Sequence, residues 1–329
     1  MADWPEGQKL GRNCVGGILN FRAKPSADSA SVGIIYEDAV FPWLREVVGE
    51  APTGLLSRRW IETPDGYLYE PSVQPVYYQP NKPLDSLPET STGKGMWAEV
   101  TVPYVDIYPL VTPCSNWLAN VPQPRLYYSQ VMWIDDIQTN SQGQILYRVN
   151  EKYGNCGDVV VAAAEAFRPI TEEEIAPIHP DAPDKRILVD LNYQTLTCYE
   201  GDEEAYFCRI SSGARFDAEG NPVDKWSTPA GAHIPWRKSI SIHMAGGQTE
   251  SGWDTPGIAW TILFDPDGAA IHSTFWHNDF GNASSHGCVN ASPEDAKWIF
   301  RWASPHVPYD PGDIDLTGVG GTVIDVEPV

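Results

Sequence analysis

The chain has 329 residues, of which 42% are hydrophobic and 20% are charged, a balance typical of globular rather than disordered proteins. With 22 basic and 44 acidic residues its formal net charge is −22, and no basic segment stands out. This argues against binding to nucleic acid and against simple charge attraction to an anionic membrane surface. The length predicts two or three domains, and no apolar run approaches the ~20 residues of a membrane-spanning helix.

The first residues, 1–10, are predicted to be an N-terminal tail. They lack the basic and apolar regions of a signal peptide. The stretch that follows, 11–78, contains short extended runs broken by Gly and Pro, with little helical periodicity. Its LNFR at 19–22 and its WIETPDGY at 60–67 resemble elements of bacterial SH3-type domains. We therefore predict a first small SH3-like β-barrel over residues 11–78.

A second copy of this unit is predicted over residues 96–171. Its closing sequence AEAFRPI at 164–170 is similar in chemistry to YEPSVQPV at 69–76. A polar, Pro-rich linker is expected at 79–95, and a second linker at 172–184. For the two SH3-like domains we weigh two roles, binding of substrate and packing against the last domain as supports.

The most informative motif is SHGCVN at residues 285–290, with His272 sixteen residues before Cys288. Cysteine reacts as the thiolate, so a nearby histidine must take its proton or stabilise the charged pair. Gly287 allows a tight turn, which lets backbone N–H groups point at a developing oxyanion. The pattern indicates acyl transfer through a thioester. A lone Cys is more often a small buried hydrophobe, and the surrounding sequence decides between these interpretations.

The sequence around this motif predicts local structure. Residues 270–276 read as an apolar strand that carries His272 near its end. After the motif, Ser292 is a good N-cap and Pro293 suits the first helical position, with acidic residues in the first turn. We therefore expect the cysteine in a loop that leads into a short helix.

Residues 185–329 resemble the catalytic domain of L,D-transpeptidases of the YkuD type, the cysteine enzymes that cross-link bacterial peptidoglycan. Beyond SHGCVN, three elements are similar and occur in the expected order: a strand with a Gln turn at 187–196, Ser-Ser-Gly at 211–213 and Ser-Thr-Pro-Ala-Gly at 227–231. The resemblance implies a β-rich sandwich with a short helix after the catalytic cysteine. The whole chain is then mainly β, with two small barrels before this sandwich.

The resemblance also implies roles for individual residues. Cys288 would be the nucleophile and His272 the general acid and base, oriented by the backbone carbonyl of Ser273. The backbone N–H groups of Gly287 and Cys288 would form the oxyanion hole, and His286 would support the site or contact substrate. Segment 236–257 would be a lid over the donor groove, with a mobile surface loop as the alternative. The residues expected to contact substrate, or in one case to tether the loop, are Met244, Trp253, Trp276 and Asn290. His277 is expected to be exposed to solvent.

The implied reaction has two halves and needs no cofactor and no metal. The thiolate attacks the L,D peptide bond of a tetrapeptide stem and expels the terminal D-Ala. A side-chain amine of a second stem then resolves the thioester to a 3→3 cross-link, a step of peptidoglycan biosynthesis that contributes to cell wall organisation and cell shape. Carbapenem-type β-lactams should acylate Cys288. Two alternatives remain open: an L,D-carboxypeptidase or endopeptidase on stem peptides, and a non-catalytic wall-binding protein.

The predicted partners are therefore peptidoglycan stem peptides as donor and acceptor, with no nucleic acid and no transmembrane segment in this chain. Such an enzyme works outside the cytoplasm, in the cell wall, in the periplasm or as a secreted protein, so we expect an export signal that this sequence lacks. Of six cysteines, Cys198 and Cys208 flank a predicted hairpin and Cys114 and Cys156 lie in the second predicted domain. Each pair is a candidate disulfide, and reduced thiols throughout are the alternative.

Overall fold

The computed structural model describes residues 4–153, 157–214, 221, 223, 226–246 and 253–328, with the side chain of Trp253 outside the description. In these residues the chain is mainly β, as predicted, with short helices. We describe it as a first unit (residues 4–78), a second unit (79–171) and a third unit (172–328). No helix in the described residues is long and apolar enough to cross a membrane.

The first unit is built from two antiparallel sheets with strand orders β4-β1-β8 and β3-β2-β7-β6-β5. Its strands are β1 Lys9–Asn13, β2 Leu19–Arg22, β3 Ser31–Ile35, β4 Val40–Pro42, β5 Arg45–Val48, β6 Arg59–Thr63, β7 Gly66–Tyr69 and β8 Val73–Tyr77. Phe21, Phe41 and Trp43 pack with Ile61 and Leu68 in its core. Gly66, at φ +138°, starts β7 after the tight turn, where a Cβ would come within 2.8 Å of Arg22 O.

The second unit contains a seven-stranded sheet in the order β13-β12-β16-β15-β14-β11-β17, preceded by a two-stranded hairpin. Its elements are β9 Glu89–Thr90, β10 Gly93–Lys94, β11 Met96–Val100, β12 Tyr104–Pro109, α1 Asn116–Asn120, β13 Arg125–Tyr127, β14 Val131–Thr139, β15 Ile145–Asn150, β16 Val159–Ala163 and β17 Phe167–Pro169. The hairpin β9–β10 lies inside the predicted linker 79–95. That the first and second units are SH3-like stays a prediction.

The third unit is a sandwich of two five-stranded sheets, in the orders β20-β19-β18-β27-β21 and β25-β24-β23-β22-β26. Its elements are α2 Glu172–Ile175, β18 Lys185–Asp190, β19 Thr195–Glu200, β20 Glu203–Arg209, β21 Gly231–His233, β22 Arg237–Gly246, β23 Trp253–Leu263, β24 Ala270–Ser273, β25 Val289–Ala291, α3 Pro293–Trp302, β26 Asp313–Asp315 and β27 Val323–Glu327. Side chains of both sheets, such as Val189 and Ile271, share one core. Helix α2 lies within the predicted linker 172–184 and buries Ile175.

Helix α3 confirms the predicted start after the cysteine motif. Ser292 is its N-cap, and its hydroxyl accepts a hydrogen bond from Asp295 N at 3.2 Å. Pro293 occupies the first helical position, where the missing N–H costs nothing. The helix buries Ile299 and Phe300 against the third unit's core, so the end of the cysteine loop is anchored by packing.

The second and third units share a continuous apolar core. Trp97, Val131 and Trp133 of the second unit belong to the same buried cluster as Ile240 and Trp260 of the third unit. Because side chains this large are fully desolvated between the units, the two should move as one body.

One predicted disulfide is wrong. Cys198 and Cys208 are both free and buried. They lie on paired strands, but Cys198 faces Tyr206 and Cys208 faces Leu196, so the register does not place the two thiols opposite each other. Cys114 is disulfide-bonded, and Cys156, its expected partner, lies outside the described residues.

Candidate active site

His272 and Cys288 come together at one edge of the third unit through a parallel strand pair. Strand β24 carries His272, which lies opposite Asn290 of β25. Cys288 precedes Asn290 by two residues, at the end of the loop that leads into β25. Both side chains line one cavity, so sixteen residues of separation in the chain become adjacency in space.

Ser285 shapes the loop that presents Cys288. Its Oγ donates to Cys288 O at 2.6 Å and accepts from Gly287 N at 3.2 Å. Gly287 adopts φ +119°, a conformation that side-chain-bearing residues rarely tolerate. The N–H of Gly287, which we expected in an oxyanion hole, therefore donates to Ser285 here. The N–H of Cys288 has no hydrogen-bond partner among the described residues.

The tautomer of His272 follows from its neighbour. His272 Nδ1 lies 2.9 Å from Ser273 O, and a carbonyl oxygen can only accept, so Nδ1 carries the proton. This is the contact that the resemblance implied for Ser273. Nε2 is left with its lone pair, which is the state a general base requires.

Burial makes both reactive groups neutral at rest. It lowers the pKa of His272 to about 4 and raises the pKa of the Cys288 thiol to about 11. At neutral pH the pair is therefore a thiol and an imidazole rather than a thiolate and an imidazolium. The Cys288 Sγ lies 4.0 Å from Gly268 O, a weak contact.

His277 was predicted to be exposed, and this is wrong. It is half-buried, and burial lowers its pKa to about 4. Its Nδ1 accepts from Asp279 N at 3.1 Å, so in the neutral ring Nε2 carries the proton. Nε2 lies 2.9 Å from Asn290 Nδ2, while Asn290 Oδ1 is buried without a partner. Exchanging the amide oxygen and nitrogen of Asn290 lets Oδ1 accept the hydrogen bond from His277 Nε2, and we assign that orientation.

A hydrogen-bonded frame behind the site joins the Gln turn, the Ser-Ser-Gly element and the Thr-Pro element identified from the sequence. Gln194, at φ +53°, accepts from Ser212 N at 2.8 Å and donates to Ser212 Oγ at 2.8 Å. Gly213 N donates to Thr228 Oγ1 at 2.8 Å. The backbones of Ser211 and Asn290 exchange two hydrogen bonds of 2.9 Å. The Gln turn, the Ser-Ser-Gly and the Thr-Pro elements therefore hold the strand that follows Cys288.

Three of the four predicted substrate contacts line the cavity: Met244, Trp276 and Asn290. The side chain of the fourth, Trp253, lies outside the described residues. His286 is exposed and meets Trp226 edge to face, with 4.6 Å between ring centroids. The segment expected as a polar lid is mostly the hairpin β22–β23, and its residues 247–252 lie outside the described residues.

The cavity, of about 570 Å³, is also lined by residues that sequence reasoning missed. They come from the first unit, more than 200 residues before Cys288 in the chain: Val15, Leu55, Tyr69, Pro71 and Ser72. Ser285 and His277 were present in the motif region, but nothing in their spacing indicated their hydrogen bonds. Among the described residues, no group of three or more His, Cys, Asp or Glu is placed to hold a metal ion.

Comparison with known families agrees with this geometry. Residues 184–324 match the family model YkuD, described as L,D-transpeptidase catalytic domain. This region is an L,D-transpeptidase catalytic domain. It contains His272, Cys288 and the frame formed by Gln194, Ser212 and Thr228. No curated protein matches the chain significantly.

Solved structures with similarity to this chain include L,D-transpeptidases. A mutant of the Enterococcus faecium enzyme is 23% identical, covering 45% of this chain and 52% of its own, with a TM-score of 0.33. Residues 123–326 of the Xylanimonas cellulosilytica L,D-transpeptidase are 22% identical, covering 45% of this chain and 62% of that chain, with a TM-score of 0.30. The L,D-transpeptidase LdtMt1 in complex with imipenem is 16% identical, covering 74% of this chain and all of that chain, with a TM-score of 0.34. The match thus spans about half the length of the Enterococcus enzyme.

Proposed function

We propose that this protein is a peptidoglycan L,D-transpeptidase that forms 3→3 cross-links through a thioester on Cys288. The observation that carries the proposal is the shared cavity of Cys288 and a neutral His272 with its Nδ1 proton bound to Ser273 O, inside the region that matches the catalytic-domain model. The acyl donor and the acceptor are stem peptides, and the chemistry uses side chains and backbone alone.

Acylation begins with a proton transfer that accompanies attack. As Cys288 Sγ bonds to the donor carbonyl carbon, its proton passes to His272 Nε2, and the carbonyl electrons move onto oxygen. The Cys288 N–H is a candidate donor to that oxyanion, and the Gly287 N–H would join it if its bond to Ser285 opened. The C–N bond then breaks, the leaving amine takes the proton from Nε2, and D-Ala departs, leaving the thioester.

Resolution reverses the roles of the two residues. The side-chain amine of a second stem attacks the thioester carbon and gives one proton to His272 Nε2. The C–S bond breaks, sulfur leaves with the electron pair, and it regains a proton from the imidazolium. A new amide bond forms and the enzyme returns to its neutral thiol and imidazole. If water replaces the amine, the same steps give hydrolysis and a tripeptide.

The decisive experiment incubates the protein with a disaccharide-tetrapeptide and identifies the products by mass spectrometry. We expect a cross-linked dimer with loss of one D-Ala, absent with Cys288→Ala. Tripeptide without dimer, even with excess acceptor amine, would instead establish the carboxypeptidase. Neither product under conditions where the protein binds peptidoglycan would favour the wall-binding alternative.

Carbapenems provide an independent test of the nucleophile. They present a strained carbonyl to the same sulfur, so we expect a single covalent adduct with imipenem in intact-mass analysis, and none with Cys288→Ala. We further propose that the protein works outside the cytoplasm, because its substrate is the cell wall. A membrane-impermeant amine-reactive reagent applied to intact cells should label surface lysines of the exported protein, and labelling that occurs only after lysis would contradict this location.

A further inference from the structure

The cavity that contains Cys288 has two walls, and only one belongs to the catalytic region. The third unit supplies Met244, Ile258 and Trp276 beside the nucleophile. The opposite wall consists of first-unit residues: Val15, Leu55, Tyr69, Pro71 and Ser72. We propose that the first unit is part of the substrate-binding site and binds the stem peptide that acylates Cys288. This inference rests on the proposed function for the identity of the peptide.

The wall formed by the first unit is held against the loop that contains His277 and Asn278 by specific contacts. Asn278, one residue after His277, donates its backbone N–H to Pro71 O at 3.0 Å and its side-chain amide to Glu70. Arg59 donates to Asn278 O at 3.1 Å. Its guanidinium also lies 3.0 Å from Glu70 Oε2, within ion-pair distance although without hydrogen-bond geometry. Pro71, which lines the cavity, is therefore tied directly to the loop that lines the other side.

Glu70 at this contact is nearly completely buried, and burial raises its pKa to about 7. A buried carboxyl group is costly unless it is paired, and here its partners lie on the first unit (Arg59) and on the third (Asn278). A chance apposition of two surfaces would not be expected to desolvate such a group. The first unit is thus docked in a defined position.

The side chains of the wall formed by the first unit are suited to binding a peptide. Val15, Leu55 and Pro71 offer apolar surface, and the phenol of Tyr69 and the hydroxyl of Ser72 offer polar atoms. Tyr69 Oη donates to Ser57 O at 3.1 Å, so its own oxygen remains able to accept a hydrogen bond. A few polar atoms on a mostly apolar concave surface are typical of sites that orient a ligand. Because free Cys288 lines the cavity and must contact the donor carbonyl before any acceptor can react, we assign the acyl donor as its occupant.

The cavity size supports the same occupant. At about 570 Å³ it lies within the range of roughly 300–1,000 Å³ that is common for small-ligand sites. This is room for a short peptide segment rather than for a folded partner. The third unit alone would present Cys288 in an open groove, whereas the two walls together can contact a stem peptide from both sides.

Two neighbouring leucines allow a matched test. Leu55 lines the cavity and Leu56, the next residue, does not, and their exposed fractions are 46% and 78%. Neither is buried in the first unit's core, so replacing either by serine should leave the fold intact. In Cys288→Ala protein, which cannot react, binding of a stem tetrapeptide is measured by calorimetry. We expect Leu55→Ser to weaken binding about fivefold, as loss of one partly buried apolar contact predicts, and Leu56→Ser to leave it unchanged.

The same pair is then compared in the reactive protein. We expect Leu55→Ser to raise KM for the tetrapeptide with little change in kcat. The thermal unfolding midpoints of Leu55→Ser and Leu56→Ser should be the same. Equal tetrapeptide affinity of the Leu55→Ser and Leu56→Ser proteins would overturn the proposal, as would absence of tetrapeptide binding to the Cys288→Ala protein. Failure of the proposed reaction is recognised separately, because the wild-type protein would then bind the peptide but form neither a thioester nor an imipenem adduct.

Discussion

Arg12 Nη2 donates a hydrogen bond to Phe275 O at 2.9 Å, joining the first strand of the chain to the residue three positions after His272. The Arg12 side chain is buried, pairs with Asp38 at 2.6 Å, and stacks over Tyr127 of the second unit at 4.1 Å. Tyr127 itself stacks on Phe275, with 5.8 Å between centroids. One guanidinium therefore connects all three units immediately behind the candidate catalytic strand.

We predict that Arg12→Ala destabilises the protein by about 3 kcal/mol or more, because it leaves the buried Asp38 carboxylate with fewer partners. Slower acylation by imipenem should accompany this, since Phe275 loses its anchor. Thermal or denaturant unfolding measures the first effect and intact-mass kinetics the second. Arg45→Ala is the control, because the Arg45 pair with Glu62 is exposed and should not shift the midpoint measurably. Equal shifts for the two variants would contradict the role of Arg12 as a joint.

The neutral resting state of Cys288 and His272 predicts a pH profile. Alkylation of Cys288 by iodoacetamide without substrate should be slow at neutral pH and rise towards pH 11, because burial raises the pKa of the thiol to about 11. Acylation by imipenem should need only neutral His272, whose pKa is lowered to about 4. Its rate should therefore fall only as the pH drops towards 4. A bell-shaped profile centred between two near-neutral pKa values would show a charged pair instead.

Ser285 is predicted to act by positioning, since its hydroxyl links Cys288 O to Gly287 N. Ser285→Ala should slow acylation about tenfold to a hundredfold, because an unbraced loop misplaces the nucleophile and the oxyanion donor. The free energy of unfolding of the protein should fall by only about 1 kcal/mol. Ser285→Thr, which keeps the hydroxyl, should restore part of the rate. An unchanged rate in the alanine variant would mean that Gly287 alone determines the loop.

Gly213 is predicted to be intolerant of any side chain. A Cβ there would lie 1.9 Å from Trp226 O and 2.6 Å from Thr228 N, so Gly213→Ala must displace backbone next to the Thr228 hydrogen bond. We expect destabilisation of about 2 kcal/mol or more, with loss of acylation. Gly16→Ala is the matched control, because no atom lies within 4 Å of its Cβ position. The two variants should differ clearly in a thermal unfolding assay, and similar midpoints would contradict the close approach.

His243 is predicted to clamp the β22–β23 hairpin to the second unit. Its Nδ1 lies 2.8 Å from Glu151, and its Nε2 contacts Asp254, which also accepts from Trp117 N at 3.0 Å. Burial alone would lower the pKa of His243, but the carboxylates of Glu151 and Asp254 outweigh burial and raise this pKa. The Asp158 carboxylate also interacts electrostatically with His243. Protonated His243 can donate to both carboxylates, whereas the neutral ring can donate to one.

The stabilisation from this clamp is complete below the ordinary histidine pKa of about 6.5 and is lost as the pH rises through the higher pKa of the folded state. Hydrogen exchange in residues 237–246 should therefore increase over that interval beyond the intrinsic pH effect. His243→Gln should remove this additional dependence, and His179→Gln, at an exposed ion pair, should not. An unaltered profile in His243→Gln would rule out the clamp.

Local structure around the cysteine could be predicted from the sequence because its signals are short-range. The cap at Ser292 and Pro293, the turn at Gly287 and the strand that carries His272 each depend on a few adjacent residues. The prediction that His277 is exposed failed for the opposite reason. His277 contacts the side chain of Asn290, thirteen residues further along the chain, and no local pattern encodes that contact.

The sequence by itself identified the candidate reactive groups: a thiol, an imidazole and the backbone turns that present them, all within the motif and its flanking strands. The tertiary structure alone decided their ionisation, because desolvation by distant residues sets the pKa of His272 and Cys288. It also decided that Leu55 and Tyr69, far away in the chain, line the same cavity as Cys288. Contacts between units depend on complementary surfaces, and periodicity along one chain segment carries no information about the surface it will meet.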